Sequence, residues 1–324
     1  MKDVLRNLML MPETLNSAGY QVKETVDDTE VMIDGLGPDR ALSLHTPWIV
    51  RGITPEQAGG KWEAICKALR AREAVVTVSK DALAGFSRQD APLRLCRIFR
   101  NDLWDFEELR TADLVELDLR DRHTGLWGWP SELSHSRRRF GFFNALRSAL
   151  DCHAAVGIAI PVPCRQEDVM RCLEGDVDFV TLVHDPTLDA TRAGLVAAIR
   201  QTRIMIEEDT DRSVAIIVDA RIEDPWEGLV CLALGANVHA IDAWLTPLLT
   251  ASTAQVGSGM LAGITWGGDD DGSQAIEERL AEAEKQLRYF MQRCGARRLR
   301  DLQPTSLRAL SETAARIAGV ELLK

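Results

Sequence analysis

Six side chains able to exchange protons or ligate a cation lie at the carboxyl ends of short apolar runs. Asp118 ends LVELD, and His184 with Asp185 follows DFVTLV. Asp219 ends VAIIVD, and His239 and Asp242 lie within NVHAID. Imidazole and carboxylates gathered at one end of a sheet could do acid–base work or hold a divalent ion. The same residue types also have a plain structural use. A strand-end aspartate often caps the next helix, and Asp185–Pro186 and Asp224–Pro225 read as turn starters. His239 lies mid-strand, where it points either into the sheet's enclosed face or toward a helix. No spacing among these residues is a metal motif, so no metal site is expected. Cys164, after a strand in IPVPCRQED, could be a nucleophile, but no base is paired with it in sequence.

The stretch VDARIEDPWEGLVCLALGA, starting at Val218, reads as a strand end, a turn and a helix. Such turns hold phosphates when glycines free the backbone N–H groups. Here Ala220 and Arg221 open the turn, and Glu223, Asp224 and Pro225 complete it. Proline has no N–H to give, and the acids repel a dianion. The turn therefore reads as a degenerate phosphate site at Ala220, Arg221 and Pro225.

Apolar runs that must position these residues are AVVTVS (74–79), LVELDL (114–119), VGIAIPV (156–162), DFVTLV (178–183), VAIIVD (214–219) and NVHAID (237–242). Helical periods separate the later ones. That β-α-β rhythm demands parallel strands with crossover helices, and nearly continuous apolar strands mean that both faces are covered. The spacing predicts an α/β fold, a (β/α)8 TIM-type barrel with an N-terminal extension and a C-terminal helical tail. The expected boundaries are 1–45 for the extension, 46–249 for the barrel core, 250–273 for a Gly/Ser/Asp-rich loop and 274–324 for C-terminal helices. AIEERLAEAEKQLRYFMQRCGA is the clearest amphipathic helix, stopped by Gly295.

With 49 acidic against 38 basic residues, a net charge of −11 and 46% hydrophobic content, the 324-residue chain reads as a soluble protein without a nucleic-acid surface. Two basic clusters, Arg137–Arg139 and Arg297–Arg300, read as solvated helix ends. No stretch approaches the roughly 20 apolar residues of a membrane span, and no signal peptide is evident, so a cytoplasmic location is expected. Seven scattered cysteines without CxxC signal neither zinc nor a redox dithiol.

Several segments, in order, resemble the FMN-binding synthase domain of glutamate synthase: LMLMPETL, ALSLHTPWIV, RIFRNDLWDFEELRTADLVELD, the turn after Val218 and YFMQRCGARRLRDL. That resemblance implies a barrel, and it also implies which groups are missing. Where the family holds the FMN phosphate stand Ala220, Arg221, Pro225, Ile241 and Asp242. A family lysine becomes Asp118, and the cluster cysteines have no counterpart in 246–265. The resemblance thus implies a barrel without FMN or an iron–sulfur cluster, serving as a non-flavin subunit or regulatory partner, with a link to nitrogen metabolism. An enzyme with a rebuilt flavin-free site, or an FMN-dependent oxidoreductase of glutamate synthase type, are the competing expectations. Trp127, Trp129 and Trp226 in loops suggest a homo- or hetero-oligomer with a protein partner. They could instead plug the mouth together with Arg221. A rebuilt mouth would take a small amine or amino acid.

Overall fold

The computed structural model describes residues 3–11, 31–33, 42–78, 92–100, 106–121, 124–209, 213–250 and 273–323. The expected loop over 250–273 lies almost wholly outside the described residues, as do His123, Trp104 and Trp266. Three short strands come first: β1 (Leu8–Leu10), β2 (Val31–Ile33) and β3 (Leu42–Leu44), the last two forming an antiparallel pair. Eight strands then close a barrel: β4 (Trp48–Val50), β5 (Val75–Val78), β6 (Leu93–Phe99), β7 (Leu114–Asp118), β8 (Ala155–Val162), β9 (Phe179–His184), β10 (Ala215–Asp219) and β11 (Val238–Ala240). Each runs parallel to its neighbours, and β11 pairs with β4 to complete the ring.

Helices pack around this ring. In α1 (Pro55–Ala58), Thr54 and Gln57 form a reciprocal capping box that fixes the chain's exit from β4. In α2 (Trp62–Arg70), Ala64, Ile65, Ala68 and Leu69 are buried at i, i+1, i+4, i+5 spacing. Then follow α3 (Phe106–Leu109), α4 (Ser136–Ala149), α5 (Gln166–Glu174), α6 (Ala193–Asp209), α7 (Pro225–Leu234) and α8 (Asp242–Thr250). Asp189 starts α6 by accepting the N–H groups of Ala193, Gly194 and Leu195 at 3.2, 2.7 and 3.3 Å. Asp224 caps α7 through the N–H of Glu227, with Pro225 as first helical residue. The long α9 (Ser273–Arg293) covers α2, α7 and α8.

The tail adds β12 (Leu307–Ala309), α10 (Glu312–Ala318) and β13 (Glu321–Leu322). β12 pairs antiparallel with β1 and parallel with β13, so extension and tail share one three-stranded sheet. Inside the barrel, Gly157 lets the Phe179 ring fill the floor: a Cβ on Gly157 would sit 2.3 Å from that ring. Outside it, Gly228 does the same for His239, whose ring would meet a Cβ at 2.4 Å. His239 therefore faces the helix layer, edge-on to Trp244, and burial lowers its pKa to about 4.

Candidate functional site

Alternation along parallel strands sends every second side chain into the barrel. On β7 that places Glu116 and Asp118 inside, on β6 Arg97, on β9 Thr181 and on β10 Asp219. Arg51, one residue past β4, completes the group. Its guanidinium forks onto Glu116 at 2.9 and 2.7 Å and reaches Asp219 through Nε at 2.9 Å. Arg97 donates to Glu116 at 3.0 Å and to Asp219 at 3.4 Å. The Thr181 hydroxyl donates to the remaining face of Glu116. Four donors thus occupy a carboxylate that has lost all contact with solvent.

Burial alone would raise the Glu116 carboxyl, but Arg51 and Arg97 outweigh it and pull its pKa down to about 2. Burial likewise opposes the charge on Arg51, and the pull of Glu116 and Asp219 raises its pKa all the same. The cluster is a rigid, ionised plug across the barrel's upper interior.

Asp242 closes the ring from below the same arginine. Its carboxylate accepts the backbone N–H groups of Arg51, Gly52 and Ile53 at 3.1, 2.7 and 3.1 Å. Burial raises its pKa; the N–H bonds work against that and neighbouring Asp219 adds to it. Asp118 is fully buried and takes both Nε and Nη2 of Arg120.

Of the six strand-end candidates, Asp118, Asp219 and Asp242 therefore lie at the mouth, each held by arginine or backbone N–H groups, while His239 faces the helix layer. His184 and Asp185 do not join them. His184 Nε2 lies 2.8 Å from the carbonyl of Asp189, and its buried Nδ1 has no hydrogen-bond partner among the described residues. Asp185 is half-buried and starts a turn through the N–H and hydroxyl of Thr187. Cys164 is half-buried, and burial pushes its thiol up to about 11, which leaves no thiolate near neutrality. No three His, Cys, Asp or Glu side chains among the described residues converge as a metal site.

Arg221 does not plug the mouth. Its side chain is 77% exposed and pairs with Glu223 at 3.3 Å, while the space is filled by Arg51 and Arg97. The three tryptophans expected in loops pack within the chain, and Trp226 lies in the first turn of α7 rather than in a loop. Trp127 donates Nε1 to the carbonyl of Ala159 at 2.9 Å and meets Trp129 edge-on, with Arg139 over the Trp129 ring. Trp226 packs on Phe290 of α9.

Sequence reasoning passed over Arg51, Arg97, Glu116 and Thr181. Glu116 did carry a signal, as an acid inside the apolar run LVELD that has to find a cationic partner once buried. A second network was equally hidden. Glu227, 2% exposed, holds Arg192 at 2.7 and 2.9 Å and Arg6 at 2.8 Å, while Arg192 also holds Asp3. This ties the N-terminal extension over the turn that follows β10.

No family model matches the chain, and no curated protein matches it in sequence. Solved structures match its fold over almost its full length. A mandelate oxidase variant carrying a monooxide FMN adduct is 15% identical, with a TM-score of 0.60 and coverage of 94% of this chain and 88% of that one. A flavocytochrome b2 double variant with pyruvate bound gives 14% and 0.64, covering 97% and 79%. A lactate oxidase from Pediococcus acidilactici gives 13% and 0.61, covering 94% and 83%. At such identity the likeness shows the fold, a (β/α)8 barrel.

These findings correct the glutamate synthase resemblance. The solved barrels named above are a mandelate oxidase, a flavocytochrome b2 and a lactate oxidase, and none of these is a glutamate synthase. The flavin-free expectations lose their basis with it, both the non-catalytic subunit or regulatory partner and the rebuilt flavin-free enzyme. So does the expectation that FMN is absent. It rested on loops matched to the wrong family, whereas one neighbour carries an FMN adduct. The stretch 246–265, where cluster cysteines were sought, lies mostly outside the described residues.

The turn after β10 nevertheless does not fit a phosphate. The N–H of Glu223 is taken by Glu227, that of Glu227 by Asp224 and that of Ile222 by the carbonyl of Ala220. An FMN held in this barrel would seat its phosphate on other groups. Among the described residues no helix is long and apolar enough to cross a membrane.

Proposed function

We propose that the chain is an oxidoreductase that acts on a small carboxylate-bearing substrate, a 2-hydroxy acid, at the carboxyl end of the barrel. FMN is the redox group to test first, because one of the 2-hydroxy acid oxidases that share the fold carries it. Active sites of this barrel class sit at that end of the strands.

The observation that carries the reading is the state of Arg97 and Arg120. Both are part-exposed, at 20% and 32%, in a network whose other arginine, Arg51, is sealed at 1%. Each keeps Nη1 without a hydrogen-bond partner among the described residues, and Thr77 adds a buried hydroxyl with none. A guanidinium with spare N–H groups, held still by its own acid, is a preorganised receptor for a second carboxylate. The buried ion cluster beneath fixes both cations in place and excludes water from the floor of the site.

The test is to titrate the purified protein with FMN, then add mandelate, lactate or glycolate without oxygen. Flavin binding followed by bleaching is expected, with Arg97→Ala and Arg120→Ala each weakening the half-saturating acid concentration by about tenfold. A protein that binds no FMN at millimolar concentration and shows no thermal shift with any 2-hydroxy acid would refute the reading.

A further inference from the structure

At the opposite end of the barrel lies a cavity of about 990 Å³, in the size range of small-metabolite sites. It is bounded by α6, by the turn that leads from α7 into β11, and by the tail segment from Arg298 to Glu321. Its wall carries Arg200, Arg203, Arg298, Arg300 and Arg308. Among the described residues of the wall Glu207 and Glu321 oppose them, which gives five positive charges against two negative, in a chain whose net charge is −11. Arg298 and Arg300 are exposed, as the sequence suggests, and stand at the rim of this cavity.

The arginines are unevenly neutralised. Arg308 has a carboxylate partner, Glu321 at 3.2 Å. Arg203 donates to the carbonyl of Gly235 at 3.0 and 2.7 Å and to the Asn237 amide oxygen at 2.7 Å. Arg200 reaches only the carbonyls of Ala318 and Leu234, at 3.2 and 3.4 Å. Neither pairs with a carboxylate within ion-pair distance among the described residues. Burial lowers the pKa of both, and for Arg203 the nearness of Arg200 adds to this while Glu207 works against it. Two cations hydrogen-bonded to neutral oxygens and only partly offset by Glu207, with three more around one hollow, leave a positive potential that an anion would relieve.

We propose that this cavity is a binding site for a small polyanion bearing a diphosphate group, remote from the barrel mouth. Guanidinium forks match phosphate oxygens two at a time, and no lysine stands among the described residues of the wall. Those residues also include no aromatic ring on which a base could stack, while Leu232, Leu299 and Pro304 give an apolar flank. The diphosphate is therefore the recognised element. It arrives either free or as part of a nucleoside diphosphate.

Calorimetric titration of the full chain at low ionic strength tests this with three probes: inorganic diphosphate, ADP and adenosine. Saturable binding of diphosphate is expected, weakened as salt is raised. ADP binding with equal or greater strength, and adenosine not at all, would assign the nucleotide source; diphosphate alone would assign the free ion. Arg300→Ala, on an exposed segment, should weaken diphosphate about tenfold. Glu207→Gln, which removes opposing charge without touching a ligand donor, should tighten it, a change that a purely structural role does not produce. No saturable diphosphate binding by the unmodified chain overturns the proposal, and so does binding that neither substitution shifts. Circular dichroism and melting temperature establish that both variants remain folded. Should Arg300→Ala not fold, the sign of the Glu207→Gln effect decides alone.

Discussion

Replacing Glu116 by glutamine keeps the shape of the central acceptor in the barrel and removes its charge. Arg51, 1% exposed, then faces a neutral amide where it had a bidentate carboxylate, and Arg97 loses its shorter bond. The size of the effect follows from linkage. Holding the Glu116 carboxyl at about 2 instead of 4.5, at about 1.4 kcal/mol per unit, corresponds to about 3 kcal/mol in favour of the ionised form. Removing one partner of a buried ion pair costs about 3–5 kcal/mol in general, so both routes give the same scale. Because the folded pKa is depressed, that stabilisation is complete above pH 4.5 and is lost as pH falls toward 2. Urea unfolding at pH 7, followed by tryptophan fluorescence and far-ultraviolet dichroism, should show Glu116→Gln less stable by about 3 kcal/mol. Its stability should also change less between pH 4.5 and 2 than that of the parent. In an Arg51→Met background the same substitution should cost much less, giving a coupling of about 2 kcal/mol. A loss below about 1 kcal/mol, or additive double-variant behaviour, would refute the view of this cluster as a sealed ionised plug.

Four further outcomes follow from the same geometry. His239, held neutral by burial with a pKa near 4 against 6.5 in the unfolded chain, contributes stability that is complete above pH 6.5 and lost as pH falls through 4; a melting series on His239→Gln should show that slope flattened. Gly157→Ala should cost about 1–3 kcal/mol by driving a methyl into the Phe179 ring, and Phe179→Leu in the same chain should restore part of it in thermal melts. Asp3→Ala should release Arg192 from the extension, seen as faster amide exchange over Leu5–Leu10 with little change in global melting. Asp242→Asn should weaken the hold on the N–H groups of Arg51, Gly52 and Ile53 by about 1–3 kcal/mol, measured by urea midpoint.

The strands of the second half were legible because both of their faces are covered, which writes them as unbroken apolar runs. β6 was not, since Arg94 and Arg97 interrupt LRLCRIF. One of those arginines is a principal member of the mouth. Candidate acids at strand ends could be found by position, because the barrel places them at one rim. Their partners could not: Arg51 and Glu116 are 65 residues apart, and only closure of the ring brings them to 2.7 Å. Asp185 and Asp224 kept the ordinary roles that their following prolines advertise, a turn and a helix cap. The family assignment failed for a related reason. Strand and helix spacing is common to many phosphate-binding barrels, while the loops that separate one branch from another are where this chain departs from the pattern.

The pairing of Leu8 with Ala309 and of Leu10 with Leu307 has a consequence during synthesis. A ribosome releases the first strand of that sheet about 300 residues before its partner, at a rate of roughly 5–20 residues per second. The eight barrel strands and their helices emerge in the interval, and they can associate while Leu8 and Leu10 still lack their neighbours. The edge of β1 is left open during that time, apolar and able to pair with another nascent chain. The extension is tied down by Asp3 and Arg6 to Arg192 and Glu227, all present well before the tail. That early tether keeps the waiting strand beside the place where β12 will arrive, so the last step of assembly becomes a local docking event.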